Sequence, residues 1–169
     1  MKNPVLQAHA IQYAELCGIS LNLKTPLGYG NDGIVWRSDR QSAVKVFEQR
    51  YKYDRESACY QRLAENNVKS IEGLAVPQLM GVNEDLMIVE MRLVTPPYLL
   101  DFGKAYLDTS PEYPVESMEE WEAEGAENFG ARWSDVKVIL WRLKQYGIYL
   151  RRQAREHQLW RSGRPIMLP

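Results

Sequence analysis

Glycines at positions 28, 30 and 33, followed at once by a β-branched and aromatic run, constrain the fold of this chain more than any other feature. The stretch reads Pro26-Leu27-Gly28-Tyr29-Gly30-Asn31-Asp32-Gly33-Ile34-Val35-Trp36, and Ser42-Ala43-Val44-Lys45-Val46-Phe47 comes shortly after it. Glycine lets a backbone lie close against phosphate oxygens and adopt angles that other residues avoid. In a dinucleotide-binding fold the third glycine of such a spacing opens a helix that holds the pyrophosphate. Here Ile34-Val35-Trp36 has strand composition instead. The spacing therefore predicts a β-hairpin, a polar turn over 37–41, and a second apolar strand over 42–47. Lys45 then lies inside a strand, where a charge needs a partner.

The partner comes from the next segment. Asp54-Arg55-Glu56-Ser57-Ala58-Cys59-Tyr60-Gln61-Arg62-Leu63 reads as part of a helix over about 49–66. Cys59, Tyr60 and Leu63 lie three, four and seven residues after Glu56, which puts Glu56 on the buried face. In this order the residues resemble the protein-kinase family: a Gly-x-Gly-x-x-Gly-x-Val hairpin, a lysine on the third strand, and a helical glutamate. Gly28, Gly30, Gly33 and Val35 match the first part, and Ala43-Val44-Lys45 match the second, with Ser42 where the family pattern has valine. The resemblance implies an α+β, protein-kinase-like fold: a five-stranded antiparallel sheet with one αC-type helix, followed by a partial helical lobe. It covers residues 20–92 firmly and 93–150 loosely, with 1–19 a helical extension and 151–169 an irregular basic tail.

Two further strands are expected over 75–82 and 86–91, joined by a turn at 83–85, with Ile19, Leu21 and Leu23 feeding the first strand of the hairpin. By the resemblance, the end of the last strand is the hinge against which adenine lies. Val89 takes the gatekeeper position, the backbone of Glu90, Met91 and Arg92 offers hydrogen bonds, and Val35 and Ala43 pack on the ring. The implied cofactors are ATP and Mg²⁺, held through Gly28, Gly30, Gly33 and Lys45, with Glu56 holding the lysine.

The metal is less well served. Asp101-Phe102-Gly103 carries the letters of the family's magnesium motif, but about ten residues after the hinge rather than after a catalytic loop. Asp101 serves as a metal residue only on the reading that most of the second lobe has been deleted. Otherwise 99–107 suits a short helix or turn crossing to that lobe. Residues 116–128 are glutamate-rich and read as a solvated helix face. Ser134-Asp135 caps a helix with a broad apolar face ending near Gly147.

No catalytic loop follows in this frame. The aspartate and asparagine that position the hydroxyl and the metal are absent, so no catalytic residue is assigned and phosphoryl transfer is doubtful. Codons for Arg151 to Leu159 can be read one base later as Asp-Val-Lys-Pro-Gly-Asn-Ile-Asn-Phe, which resembles the family's catalytic loop in the place a kinase has it. The expectation is a truncated or frameshifted copy of a kinase-like protein. The alternatives are a non-catalytic pseudokinase module that binds a protein partner or itself, and a relative of the small-molecule kinases.

Composition narrows the setting. A net charge of −1 gives no general pull toward nucleic acid. No apolar run is long enough to span a bilayer. Cys17 and Cys59 are far apart and suggest neither a zinc site nor a disulfide framework, which sets a reduced, cytoplasmic location as the default.

Overall fold

A computed structural model describes residues 3–94, 102, 105–110 and 116–150. The first helix, α1 (Pro4–Cys17), begins with Asn3 accepting from the Leu6 amide, has proline in its first turn, and ends on Gly18 in the left-handed region. The chain then builds β1 (Gly28–Gly30), β2 (Gly33–Arg37) and β3 (Ser42–Phe47), and crosses through α2 (Arg50–Glu65). A small hairpin of β4 (Ser70–Ile71) and β5 (Leu74–Ala75) precedes β6 (Leu79–Asn83) and β7 (Ile88–Arg92). Five of these strands form one antiparallel sheet in the order β1-β2-β3-β7-β6.

Strand alternation divides the sheet's side chains between two apolar layers. Val35, Ala43, Phe47, Val89 and Met91 join Tyr53, Cys59, Tyr60 and Leu63 of α2 in one cluster. Trp36, Val44, Val46 and Ile88 point the other way and join Leu6, Ala10 and Tyr13 of α1. With both faces covered, every residue of β3 is buried. The N-terminal extension is thus one of the sheet's two covers.

The strand boundaries differ from the sequence reading for physical reasons. Ala75 pairs with Ser70 in the small hairpin, and Pro77, which has no amide proton to give a ladder, separates that hairpin from β6. The β6–β7 turn is also longer than expected, with Met87 at φ 51° and the Asn83 side chain accepting from the Leu86 amide. Leu21 makes only an isolated bridge to Ser38, and Ile19, Leu21 and Leu23 pack against the α1 layer without forming a strand.

The remainder comprises β8 (Ala105–Leu107), α3 (Glu116–Phe129), a single 3₁₀ turn (Gly130–Arg132), α4 (Trp133–Gln145) and β9 (Ile148–Leu150). β8 pairs antiparallel with β9. Here 105–107 is a strand and not the helix or turn expected, because its partner lies far along the chain and no local periodicity reports it. Ser134 does not cap α4: the 3₁₀ turn runs straight into the helix, and Asp135 sits in its first turn. The acidic α3 is more than a solvated face. Glu122 accepts from the Trp133 indole at 2.7 Å and pairs with Lys137 at 3.1 Å, and Trp121 meets Trp133 edge-on. Gly125 makes this packing feasible, since a Cβ there would stand 2.3 Å from the Trp133 ring. Among the described residues no helix is long and apolar enough to cross a membrane.

Candidate functional site

The α2 face of the sheet carries the only strand-borne lysine in the five-stranded sheet. Lys45 stands between Val35 and Val89 in the register and sends its ammonium to both carboxylate oxygens of Glu56, at 2.7 and 3.0 Å. Both side chains are almost fully buried, at 4% and 2% exposure. The Phe47 ring lies 4.7 Å from the ammonium. A pair this dry loses most of its hydration, so its two hydrogen bonds and the neighbouring aromatic face must replace that solvation. The helical spacing placed Glu56 correctly on the inward face of α2.

The glycine hairpin lies at the edge of this sheet, with Gly28 opposite Val35 and Gly30 opposite Gly33. Gly33 has a packing role of its own: at φ 150°, an added Cβ would come 2.0 Å from the Val46 carbonyl oxygen. The hairpin tip is tethered. Lys52, in the first turn of α2, pairs with Asp32 at 2.8 Å and donates to the Asn31 carbonyl. The sequence reading did not include Lys52 or Asp32; a basic residue in the first turn of the helix behind the hairpin was the available signal.

Val35, Ala43, Val89 and Met91 share the face of Lys45, and all four are buried. Leu27, Leu79 and Leu93 pack against the same cluster.

The segment expected as the hinge runs inside the sheet. Glu90 and Met91 pair with β3 on one side and β6 on the other, and the Arg92 amide donates to the Gln78 carbonyl. Their main chain is occupied by the sheet, and the Leu93 amide in turn donates to the Gln41 carbonyl at 3.0 Å. Arg92 itself is exposed.

The Glu90 side chain points to the opposite face. It accepts from Tyr13 at 2.9 Å and from the Ser42 hydroxyl, and it takes the Arg40 guanidinium as a fork. Burial pushes its carboxyl up, but the bonds from Arg40, Ser42 and Tyr13 outweigh that and leave it below the usual range. Burial and the Glu90 carboxylate raise the Tyr13 phenol well above its ordinary value. Sequence reasoning missed this cluster because its members come from α1, the β2–β3 turn and two strands.

Asp101, the expected metal residue, lies outside the described residues, as does the tail over 151–169. Among the described residues no group of three or more His, Cys, Asp or Glu side chains could hold a metal ion. Comparison of the chain with family models, curated proteins and solved structures finds no match in any of the three.

Proposed function

We propose that this chain is a nucleotide-binding, protein-kinase-like small lobe with part of a helical second lobe, and that it takes ATP with Mg²⁺ against the α2 face of the sheet. The observation that carries the reading is the buried Lys45–Glu56 pair, on a central strand beside a glycine hairpin. An ammonium held at one point by a carboxylate is the group that a triphosphate needs to orient its oxygens. Gly30, exposed at the hairpin tip, is the glycine whose backbone such oxygens can approach, while Gly28 and Gly33 are buried in the ladder.

Val35, Ala43, Val89 and Met91, all buried, supply an apolar bed for a base that has to be opened before one enters. Such a site binds weakly, because opening it costs part of the binding energy. ATP and magnesium bring the transferable phosphoryl group and its counter-charge; the residues named here hold and orient. Phosphoryl transfer is not assigned to this frame, since no residue takes the part of the hydroxyl-activating aspartate.

A titration with ATP, with and without magnesium, tests the reading. Saturable binding is expected in the wild type, weakened by about tenfold or more on loss of the charge-assisted contact. Lys45→Met alone takes the ammonium away from a buried carboxylate, so it unsettles the fold as well as the site. The double variant Lys45→Met/Glu56→Leu removes both charges and keeps the volume. It is expected to stay folded and to lose ATP. Undiminished ATP binding by the double variant would overturn the proposal, as would no binding by a well-folded wild type.

A second reading, a non-catalytic docking module, is favoured by one observation: Val138 and Trp141 stand exposed one turn apart on α4. A stable oligomer together with no ATP binding would select it.

A further inference from the structure

Arg62 sits on α2 six residues beyond Glu56, on a face turned away from the sheet. Its guanidinium forks onto Asp108, with bonds of 2.9 and 2.8 Å, and sends a third bond of 2.8 Å to the Tyr146 carbonyl. Asp108 follows β8 and Tyr146 immediately precedes the turn into β9, so one side chain ties α2 to the chain beside both strands of the β8–β9 pair. One helical face carries two such contacts. Arg55, seven residues earlier, lies over the Tyr106 ring at 5.0 Å, so positions 55 and 62 of the helix meet positions 106 and 108 of the chain.

The junction is built at a conformational cost. Asp108 has φ 56°, in a region that non-glycine residues seldom occupy, though aspartate tolerates it better than most. Its amide donates to the Gly147 carbonyl at 2.8 Å. Gly147 has φ 72°, and a Cβ there would come 2.3 Å from the Asp108 carboxylate and 2.8 Å from the Arg62 guanidinium. An unfavourable backbone angle and a glycine-only space converge on one ion pair.

Arg62 is partly exposed and Asp108 mostly so. Pairs this wet add little stability. The three bonds of Arg62 do, however, tie α2 to the segment after β8 and the segment before β9 at one point, a geometry that suits a positioning role.

We infer that Arg62 is a positioning residue: braced on Asp108 and the Tyr146 carbonyl, it holds α2 at the setting that keeps Glu56 on Lys45, and so couples the β8–β9 strand pair to the nucleotide site. The inference rests on the nucleotide reading for its consequence and on the brace alone for its mechanism, and the two can fail separately. With the brace loosened, α2 occupies the Glu56-inward setting for a smaller fraction of the time. The apparent affinity falls by that fraction.

The test uses the full chain as wild type, Arg62→Gln, Asp108→Asn and the double variant. Asparagine keeps the shape of Asp108 and tolerates its backbone angle, so that variant guards against simple misfolding. Amide exchange across residues 50–65 and ATP affinity are measured on each, with thermal melting as the structural control. Each single variant is expected to speed α2 exchange about fivefold and weaken ATP about threefold, and the double variant to be no worse than the poorer single. Unchanged α2 exchange in both singles overturns the brace. Faster exchange with unaltered ATP affinity overturns the coupling, as does a lowered melting temperature with neither exchange nor affinity affected locally. A wild type that fails to bind ATP sinks the nucleotide reading, and exchange alone then judges the brace.

Discussion

Glu90 shows how one residue can serve two faces of a strand. Its main chain is locked into the sheet while its carboxylate fastens Tyr13, Arg40 and Ser42 on the α1 side. Because the folded carboxyl sits below its ordinary value of 4.5, its contribution is present in full above that value and is lost as pH falls through the depressed folded value. Glu90→Gln should lower stability near neutrality by about 2 kcal/mol, since it leaves Arg40 and Tyr13 imperfectly paired. It should also flatten the stability profile below about pH 4.5; acid unfolding followed by circular dichroism checks both. Cys59 offers a second residue-scale measurement. Burial, reinforced by the Glu56 carboxylate, pushes its thiol up to about 12, whereas Cys17 is exposed. Ellman's reagent should therefore modify one thiol in the native protein and two in denaturant.

At the scale of elements, the β1–β2 hairpin is held against β3 by a glycine with no substitute. Gly33→Ala forces a Cβ onto the Val46 carbonyl at a backbone angle that alanine resists, and should cost about 2 to 3 kcal/mol in a urea titration. A similar dependence links α1 to β6: Gly81 leaves the space that the Tyr13 hydroxyl fills, 2.5 Å from where a Cβ would stand. The helix is therefore seated by a void in the sheet as well as by its own apolar stripe of Leu6, Ala10 and Tyr13. Lys52 and Arg62 divide α2 between two tasks. One end tethers the hairpin tip through Asp32 and Asn31; the other braces on Asp108.

Across the whole molecule, a single apolar cluster runs from Val35 and Ala43 of the sheet through α2 to Phe102, Val136, Ile139, Leu143 and Ile148. Tyr60 of α2 meets Phe102 edge-on at 5.2 Å within it. The described residues of the five-stranded sheet with α2 and of the following helices thus share one core, and they should unfold together. Leu143→Ala, at a fully buried site of α4, should cost about 3 kcal/mol and shift a single melting transition read both at the tryptophans and at the sheet; two separated transitions would refute this.

The sequence by itself determined the local pieces: the glycine hairpin, the strand bearing Lys45, the helix that turns Glu56 inward, and the amphipathic α4. Each follows from side-chain period and turn chemistry within about twenty residues, the range over which such patterns act. Only the tertiary structure decided that β8 and β9 pair, that Glu90 turns toward α1, that the sheet occupies the Glu90–Met91 main chain, and that Arg62 reaches Asp108. Those contacts join segments far apart in the chain, and no periodicity encodes a partner that comes near only when two layers close on one sheet.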